Sequence, residues 1–234
     1  MIALRDVTVN AGAFTLTSVS FTIPCGAFGA VVGAAGSGKT TLLESVAGVR
    51  ELVAGSIMLG DNDVTSLKPE ARGVGLVYQR GALFPHKSVA DNIGWAGHEN
   101  GDIARIVAKL GIASLYKTPV TALSGGERQL VALARALVRV SACLKSGQRA
   151  VLLLDEPFSA LDPRRRIATR DVVRAFHNEW KLTTLQVTHD GAEARRSDFA
   201  VLLDAGMVVQ CGAPDELLAS PAREDVGLFL SSAG

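Results

Sequence analysis

Two patterns of apolar positions alternate along this chain, and each predicts a different secondary structure. Between Leu4 and Val32, short segments rich in Val, Thr and Phe are separated by glycines, which predicts strands joined by turns. Further apolar runs of strand length predict strands at 56–59, 74–78, 149–155, 183–189 and 199–210. The last run is interrupted by Asp204-Ala205-Gly206 and therefore predicts a hairpin.

Other segments place apolar residues three and four positions apart, as a helix does. They predict helices at 39–47, 88–96, 103–110, 127–139, 163–180, 191–196 and 215–220. From about 87 to 139 the helical pattern is not interrupted by strands, so we expect an inserted helical subdomain there. No long linker or repeat divides the rest, so we expect residues 1–234 to form a single cassette.

Outside the helical stretch, strands with unbroken apolar runs alternate with helices. Such strands are buried on both faces, which is typical of a mainly parallel sheet covered by helices in an α/β fold. Ligands of these sheets bind at the carboxyl ends of the strands. The candidate functional residues are therefore those that directly follow a predicted strand.

The composition is that of an ordinary globular protein. The 234 residues include 24 Lys and Arg against 23 Asp and Glu, and 48% are apolar. This balance argues against a basic nucleic-acid coat and against a disordered acidic tail, so no nucleic-acid partner is expected. Three cysteines lie far apart, and no run approaches the roughly 18 apolar residues of a spanning helix. We therefore expect a cytosolic protein with reduced thiols.

The strongest chemical signal is the glycine-rich segment between the strand that ends at Val32 and the helix predicted at 39–47. It matches the phosphate-loop pattern G-x4-G-K-[ST] in the required context of strand, loop and helix. Glycines let consecutive N–H groups converge on phosphate oxygens, lysine adds a positive charge, and the first threonine can bind Mg²⁺. The residues expected to bind nucleotide are Gly33, Ala34, Ala35, Gly36, Ser37, Gly38, Lys39, Thr40 and Thr41.

A pair of acidic residues follows the strand predicted at 149–155. A phosphate-loop enzyme needs a carboxylate at the end of another buried strand to hold its metal ion, and Asp155 stands there. Glu156, the next residue, is placed to polarise an attacking water as a general base. The alternative is that both are ordinary surface carboxylates. The phosphate loop elsewhere in the chain makes this the weaker interpretation.

The segment Leu123-Ser124-Gly125-Gly126-Glu127 allows two interpretations. Ser124 and Glu127 have the spacing of a capping box at the start of a helix. That motif does not account for Gly125 and Gly126, since each costs about 1 kcal/mol in a helix relative to alanine. Paired glycines are expected where an anion approaches the backbone closely. Because the chain already has one phosphate loop, this second anion site would serve another molecule of the same protein.

Together these motifs resemble those of ABC transporter ATP-binding subunits over nearly the whole chain. LSGGERQ at 123–129 resembles the signature of that family, and the other motifs follow in the family's order. Gln79 matches the glutamine of the Q-loop, Asp162 the aspartate of the D-loop, and His189 the switch histidine. The resemblance implies a P-loop NTPase fold with an antiparallel N-terminal β portion.

The resemblance also implies a head-to-tail homodimer that binds ATP and Mg²⁺ between its subunits and opens again after hydrolysis. The residues implied to contact ATP from the partner subunit are Ser124, Gly125, Gly126 and Asp162. The implied catalytic residues are Glu156, His189 and Gln79. The implied metal ligands are Thr40, Gln79 and Asp155.

Two features depart from the family pattern. Family members usually carry an early aromatic residue that stacks on adenine, whereas here Asn10 or Ala11 stands where it often falls. Phe14 is the nearest substitute, and it is equally well explained as a core-facing strand residue. The segment at 140–150 is longer than the usual connection, so we expect a surface loop or an extended helix end there.

The segment ALFPHKSVADNI after Gln79 is similar to that of importer ATPases for molybdate, thiamine, sulfate, iron, polyamines or sugars. In those proteins this region faces the membrane subunit. The resemblance implies integral-membrane permease subunits, an extracytoplasmic substrate-binding protein and a peripheral position on the cytoplasmic face of the membrane. The short chain and the segment EPFSALDP favour the thiamine or molybdate type.

Two other functions stay open. A free-standing ABC ATPase with a regulatory or remodelling role would carry the same motifs without a membrane partner. A phosphate-loop kinase would leave the segment LSGGE unexplained. The interval between Gln79 and Leu123 is too short for the long coiled coil of DNA-repair relatives, and only one set of motifs is present.

Overall fold

The computed structural model of the chain describes residues 1–97 and 100–231. Positions 98, 99 and 232–234 of the predicted cassette lie outside the described residues. The strands are β1 (Ile2–Ala11), β2 (Phe14–Ile23), β3 (Phe28–Val32), β4 (Ala54–Leu59), β5 (Asn62–Asp63), β6 (Val74–Val77), β7 (Val151–Asp155), β8 (Thr183–Val187), β9 (Phe199–Asp204) and β10 (Met207–Gly212). The α-helices are α1 (Lys39–Ala47), α2 (Val89–Gly94), α3 (Asn100–Lys109), α4 (Gly125–Lys145), α5 (Pro163–Trp180), α6 (Gly191–Arg195), α7 (Pro214–Ala219) and α8 (Glu224–Ser231). Short 3₁₀ helices occupy Pro69–Ala71, Ala113–Leu115 and Val120–Ala122.

The chain divides into two compact units. The first contains Met1–Arg72 and Leu182–Gly234, and the second contains Gly73–Lys181. The helical subdomain predicted at about 87–139 falls within the second unit, which also includes β6, β7 and α5. The bounds of that subdomain and of the cassette therefore stay predictions.

Two kinds of strand pairing build the first unit. Strands β1, β2, β4 and β5 pair antiparallel, and β2 alternates exposed and buried residues along most of its length. Strand β3 pairs parallel with both β8 and β9, and all five of its residues are buried. Strand β10 turns back antiparallel on β9. These pairings confirm the predicted α/β class with an antiparallel N-terminal portion.

The second unit combines a parallel strand pair with most of the inserted helices. Strands β6 and β7 run parallel, in register from Val74 opposite Val151 to Val77 opposite Leu154. Helix α4 lies so close to β6 that a Cβ at Gly75 would come within 2.5 Å of the Ala136 carbonyl oxygen. Helices α2 and α3 pack against α4, as expected for a helical insertion.

Most predicted elements are present, and the structure decides between the two alternatives for the segment at 140–150. Helices α1 and α5 have the predicted bounds, and β9 and β10 form the predicted hairpin. Helix α4 continues to Lys145, so much of the segment at 140–150 is an extended helix end rather than a surface loop. Val140 and Cys143 are buried and prolong the apolar face of the helix, which explains the extension.

Helix α8 is not among the predicted elements. Its buried residues Val226 and Leu230 stand four positions apart, which is one helical repeat and too little to separate a helix from a loop by pattern alone. Helix α8 forms because these residues complete an apolar cluster on the sheet of the first unit. The other buried members of this cluster are Ala30, Val32, Ala194, Ala200, Leu202 and Leu217.

Within residues 1–97 and 100–231, no helix combines the length and the apolar character needed to cross a bilayer. The three cysteines are thiols, with Cys143 buried and the other two exposed. Burial raises the pKa of the Cys143 thiol, which keeps it in its neutral, less reactive form.

A buried arginine holds the carboxyl end of α1. Arg72 is 6% exposed and donates hydrogen bonds to the carbonyl oxygens of Ser45 and Val46 in the helix, at 2.9 and 3.1 Å. It also donates to the carbonyl oxygens of Thr65 and Leu67. Carbonyl groups at the end of a helix lack partners within it and carry the negative end of its dipole, so the guanidinium stabilises both.

We expect Arg72→Met to lower the free energy of unfolding by about 3 kcal/mol, because buried carbonyl groups would lose their donors. Thermal denaturation should show a melting temperature lower by several degrees. Arg5→Met is the matched control, since Arg5 is exposed and such surface changes stay within about 0.5 kcal/mol. Equal losses in the two variants would contradict the role given to Arg72.

Candidate functional site

The phosphate loop joins β3 to α1 within the first unit. Gly33 follows β3 with φ of 154°, and a Cβ there would overlap the carbonyl oxygen of Leu203. Gly38 precedes α1 with φ of 102°. Residues other than glycine rarely adopt such backbone angles. Both glycines of the motif are therefore required by the path of the backbone.

Hydrogen-bond donors converge in this loop. Lys39 is 8% exposed, and its Nζ donates to the carbonyl oxygens of Gly33 and Ala34, each at 2.8 Å. The Ser37 hydroxyl is buried and has no hydrogen-bond partner within the described part of the chain. Gly38 gives α1 no side-chain cap, and no acidic residue lies in its first turn. A phosphate group of a nucleotide fits a buried ammonium, an unpaired hydroxyl and an uncapped helix start.

The other residues of the loop are open to solvent or partly so. Ala34, Ala35, Gly36 and Thr40 are exposed, and Thr41 is half-buried. Thr40 and Thr41 stand in the first turn of α1, where backbone N–H groups have no acceptor within the helix. The structure therefore places all nine predicted loop residues in one continuous segment around the start of α1.

Phe14 lies beside the phosphate loop. It begins β2 and is half-buried. A Cβ at Gly38 would come within 2.7 Å of Phe14 Cζ, and one at Gly206 within 3.3 Å of the same atom. The ring is therefore packed between two glycine backbones of the first unit. Its contact with adenine stays a prediction, but its position next to the loop distinguishes it from an ordinary core residue.

His189 is brought to the same edge of the sheet as the phosphate loop. Strand β8 ends at Val187 and pairs parallel with β3, so their carboxyl ends lie side by side. The Thr188 N–H donates to the Val31 carbonyl oxygen at 3.1 Å and continues this pairing. His189 follows and is exposed, and the Asp190 carboxylate then caps α6.

In the second unit, the residues that follow β6 and β7 meet. Asp155 ends β7 and is 3% exposed, and Glu156 comes next. Gln79 lies two residues beyond β6, and its Nε2 donates to Glu156 Oε2 at 3.0 Å. The hydrogen bond orients the carboxylate predicted to act as a base. Three residues predicted for metal binding and hydrolysis are thus adjacent.

Glu156 has a strained backbone. Its φ is 43°, a value that residues with a Cβ seldom adopt. The N–H and hydroxyl groups of Ser159 both donate to the Glu156 carbonyl oxygen, at 3.3 and 3.0 Å, and hold this turn. Strain of this kind persists only where the surroundings fix it, and it is concentrated at functional sites.

The signature segment forms the predicted capping box. Ser124 Oγ accepts a hydrogen bond from the Glu127 N–H at 3.3 Å. In return, Glu127 Oε2 accepts from the Ser124 N–H at 2.8 Å and from the Ser124 hydroxyl at 2.7 Å. The Ser124 hydroxyl and then the Ser124 N–H hold the pKa of Glu127 below its usual value.

The two glycines of the signature differ in their surroundings. A Cβ at Gly126 would lie 3.1 Å from the Ala160 carbonyl oxygen, so packing within the second unit explains this glycine. A Cβ at Gly125 would meet no atom of residues 1–97 and 100–231 within 4 Å. Packing therefore gives no reason for Gly125, and the expected approach of an anion rests on that residue rather than on the pair.

Asp162 caps α5. Its Oδ1 accepts hydrogen bonds from the N–H groups of Arg164 and Arg165, at 3.1 and 3.0 Å. The side chain is exposed. Asp162 thus has a complete structural role as a helix cap, and its expected contact with a partner subunit stays a prediction.

Arg135 holds the segment after Gln79, and the sequence did not identify it. Its Nη2 donates to the carbonyl oxygens of Gly81 and Ala82, at 3.3 and 2.8 Å. Its guanidinium lies 5.5 Å from the centre of the Phe84 ring, and burial lowers its pKa. The one available signal was a charged residue inside the apolar repeat of α4.

Asn92 fixes the same segment from α2. It is fully buried, accepts from the Phe84 N–H at 2.8 Å, and donates to the carbonyl oxygens of Phe84 and Ser88. All its bonds are to backbone groups four or eight positions earlier in the chain, at and before the start of α2. No local sequence pattern marks such a residue.

The segment held in this way presents an aromatic surface, formed by Phe84, Lys87 and Trp95. The rings of Phe84 and Trp95 meet edge to face with centres 5.2 Å apart, and Lys87 Nζ lies 4.5 Å from the centre of the Trp95 ring. Trp95 is 65% exposed. A tryptophan held in place yet open to solvent is typical of a protein interaction site.

Comparisons with known proteins agree with these motifs. The sequence profile of the ABC transporter family matches residues 16–159, more than half of the chain. The chain is 38% identical to the sn-glycerol-3-phosphate import ATP-binding protein UgpC of Cupriavidus metallidurans, with 99% of this chain and 64% of that protein covered. It is 36% identical to the sulfate/thiosulfate import ATP-binding protein CysA of Mycobacterium tuberculosis, with 99% and 66% covered. The chain therefore spans less than two thirds of the length of these relatives.

Solved structures share the fold. The ATP-binding cassette MJ0796, in a dimeric post-hydrolysis state bound to ADP and Pi, matches with a TM-score of 0.79 and 24% identity. The match covers 91% of this chain and 98% of that one. A likeness at this level of identity concerns the fold, and it confirms the predicted P-loop NTPase architecture.

The two kinds of glycine in the phosphate loop should respond differently to substitution. Gly33→Ala places a methyl group on the Leu203 carbonyl oxygen, so we expect a loss of about 3 kcal/mol or more in the free energy of unfolding. Gly36 has φ of 79° but open space around it. Gly36→Ala should cost only about 1–2 kcal/mol for its left-handed backbone. Urea denaturation of both variants would measure this, and equal losses would contradict the close approach at Gly33.

Proposed function

Because the chain belongs to the ABC transporter family, we propose that it is the ATP-binding and ATP-hydrolysing subunit of an importer that works through separate membrane subunits. The observation that carries this proposal is the phosphate loop, where Lys39, the unpaired Ser37 hydroxyl and the uncapped start of α1 suit a nucleotide phosphate. Relatives with 36–38% identity are named as import ATP-binding proteins, which favours import over a free-standing ATPase.

The proposed roles in the ATP site follow from the chemistry of each side chain. The backbone of the phosphate loop and Lys39 bind phosphate oxygens, and Phe14 contacts adenine. Thr40, Asp155 and Gln79 supply the oxygen ligands that suit Mg²⁺, which when bound would neutralise charge on the phosphates. His189 contacts the γ-phosphate.

Hydrolysis is proposed to depend on Glu156. Its carboxylate accepts a proton from the attacking water, and the hydrogen bond from Gln79 Nε2 keeps one carboxylate oxygen oriented. Glu156 is half-buried, and Gln79, which follows the neighbouring strand β6, is exposed. A displacement of the segment after Gln79 would therefore move Gln79 and change the orientation of the Glu156 carboxylate. That segment is the one held by Arg135 and Asn92.

The active form is proposed to be a head-to-tail homodimer. Gly125 supports this, since nothing in its own unit requires a glycine there. Gly125 and Gly126 would present N–H groups of the first helical turn to the ATP of the partner, Ser124 would present its hydroxyl, and Asp162 would contribute from the start of α5. Both subunits would then share two ATP molecules.

The membrane partner is proposed to bind the aromatic surface of Phe84, Lys87 and Trp95. Binding there would hold the protein at the cytoplasmic face of a membrane beside permease subunits, and the proposed importer includes an extracytoplasmic substrate-binding protein. The relatives are named for sn-glycerol-3-phosphate and for sulfate or thiosulfate. The thiamine or molybdate type suggested by the sequence stays a prediction.

We expect Glu156→Gln to accumulate an ATP-bound dimer and to lower the rate of ATP hydrolysis by about 100-fold or more, because the general base is lost while binding is kept. Sedimentation velocity with saturating Mg-ATP measures the dimer, and phosphate release measures turnover. Purely monomeric Glu156→Gln protein would contradict the shared site.

Two further variants test the two parts of the proposed shared ATP site, the phosphate loop of one subunit and the signature segment of the other. Lys39→Ala in the Glu156→Gln background should abolish ATP-dependent dimerisation through loss of nucleotide binding. Gly125→Ala should leave the melting temperature unchanged or raised, since there is room for its methyl group, and yet weaken dimerisation. Normal dimerisation of Gly125→Ala would show that no ligand approaches this glycine.

Recovery from membranes separates the importer from a free-standing ATPase. We expect the tagged protein to copurify from solubilised membranes with an integral-membrane subunit in a fixed ratio. Trp95→Ala should reduce this recovery at least tenfold without changing ATP hydrolysis by the isolated protein, because an aromatic residue that becomes buried at the centre of an interface contributes about 2 kcal/mol, a factor of about 30. Recovery of active ATPase alone would favour the regulatory or remodelling alternative.

A further inference from the structure

The capping box of α4 uses the same groups that are proposed to meet ATP from the partner subunit. The Ser124 hydroxyl has one proton, and it donates that proton to Glu127 Oε2 at 2.7 Å. The Ser124 N–H donates to the same carboxylate oxygen at 2.8 Å. Both donors of Ser124 are thus already engaged with an anion that belongs to the chain itself.

We propose that Glu127 is a positioning residue that competes with the γ-phosphate for Ser124 and thereby sets the ATP concentration at which the dimer closes. This inference rests on the proposed function, because it takes the ATP of the partner subunit as the competing anion. When ATP approaches, the Ser124 hydroxyl turns from the carboxylate to a phosphate oxygen. The carboxylate stays nearby as a like charge.

The Glu127 carboxyl group is ionised at neutral pH. Its pKa lies below the usual value because of the two bonds from Ser124, with a smaller contribution from the charge of Arg165. Two like charges a few ångströms apart near a protein surface repel measurably, and added salt screens this repulsion. A competition of this kind therefore depends on ionic strength, whereas a helix cap acting only on folding would not alter the requirement for ATP.

The second unit offers a matched control in α2. Ser88 and Asp91 form the same motif, with Ser88 Oγ donating to Asp91 Oδ2 at 2.6 Å and accepting from the Asp91 N–H at 3.1 Å. Ser88 also lowers the pKa of Asp91. In this second capping box valine and alanine stand between the two residues, where the first box has paired glycines, so it has the same cap chemistry without the proposed anion site.

The experiment measures dimer formation against ATP concentration in the isolated Glu156→Gln protein, with Glu127→Gln or Asp91→Asn added. Glutamine keeps the shape and an acceptor oxygen but removes the charge. We expect Glu127→Gln to lower the ATP concentration for half-maximal dimerisation about fivefold at low salt, and this difference to shrink at 0.5 M salt, where the screening length is only about 4 Å. Asp91→Asn should leave the ATP requirement unchanged.

Three results would overturn the inference. The first is an unchanged or higher ATP requirement in Glu127→Gln, which would leave Glu127 as a structural cap. The second is an equal shift in Asp91→Asn, which would assign the effect to helix capping in general. The third is a Glu156→Gln parent that never dimerises with ATP, which would refute the proposed function itself and this inference with it. Melting temperatures of both variants show whether the loss of a cap charge affects folding equally.

Discussion

The burial of both faces of the central strands is the constraint on which the rest of the structure depends. All five residues of β3, of β7 and of β8 are buried, so a polar side chain within these strands needs a partner inside the protein, and a ligand has no access along their length. Functional groups are displaced to the positions where the strands end. The phosphate loop follows β3, Asp155 ends β7 and is followed by Glu156, and His189 comes after β8. Within each unit, parallel pairing then brings such ends to one edge of the sheet.

Irregular backbone at those ends is stabilised by long cationic side chains. Lys39, Arg72 and Arg135 each donate to at least two carbonyl oxygens that have no place in a helix or strand ladder, or that lie at the end of a helix. Buried carbonyl groups without partners are costly, and a flexible cation can satisfy several at once. The same device therefore supports the loop that binds phosphate, the far end of its helix and the segment that presents Trp95.

Local sequence signals predicted the elements whose determinants are themselves local. Helix α5 begins at Pro163 after the capping residue Asp162, and α1 begins after a glycine-rich loop, so both could be located from the sequence. Residues whose partners are distant in the chain were missed, and Arg135 is the clearest case, since its hydrogen bonds go to carbonyl groups 54 and 53 positions away. The difference between Gly125 and Gly126 was equally hidden, because only the fold places the Ala160 carbonyl group next to one of them.

The left-handed backbone of Glu156 brings the chemistry proposed for this residue into conflict with the stability of the chain. At φ of 43° glycine would be less strained than any residue with a Cβ, yet glycine has no carboxylate. Directed evolution for heat resistance alone would therefore favour glycine at this position, with loss of the carboxylate proposed to act as the general base. Glutamate at such a position is thus a requirement of the proposed chemistry and not of folding.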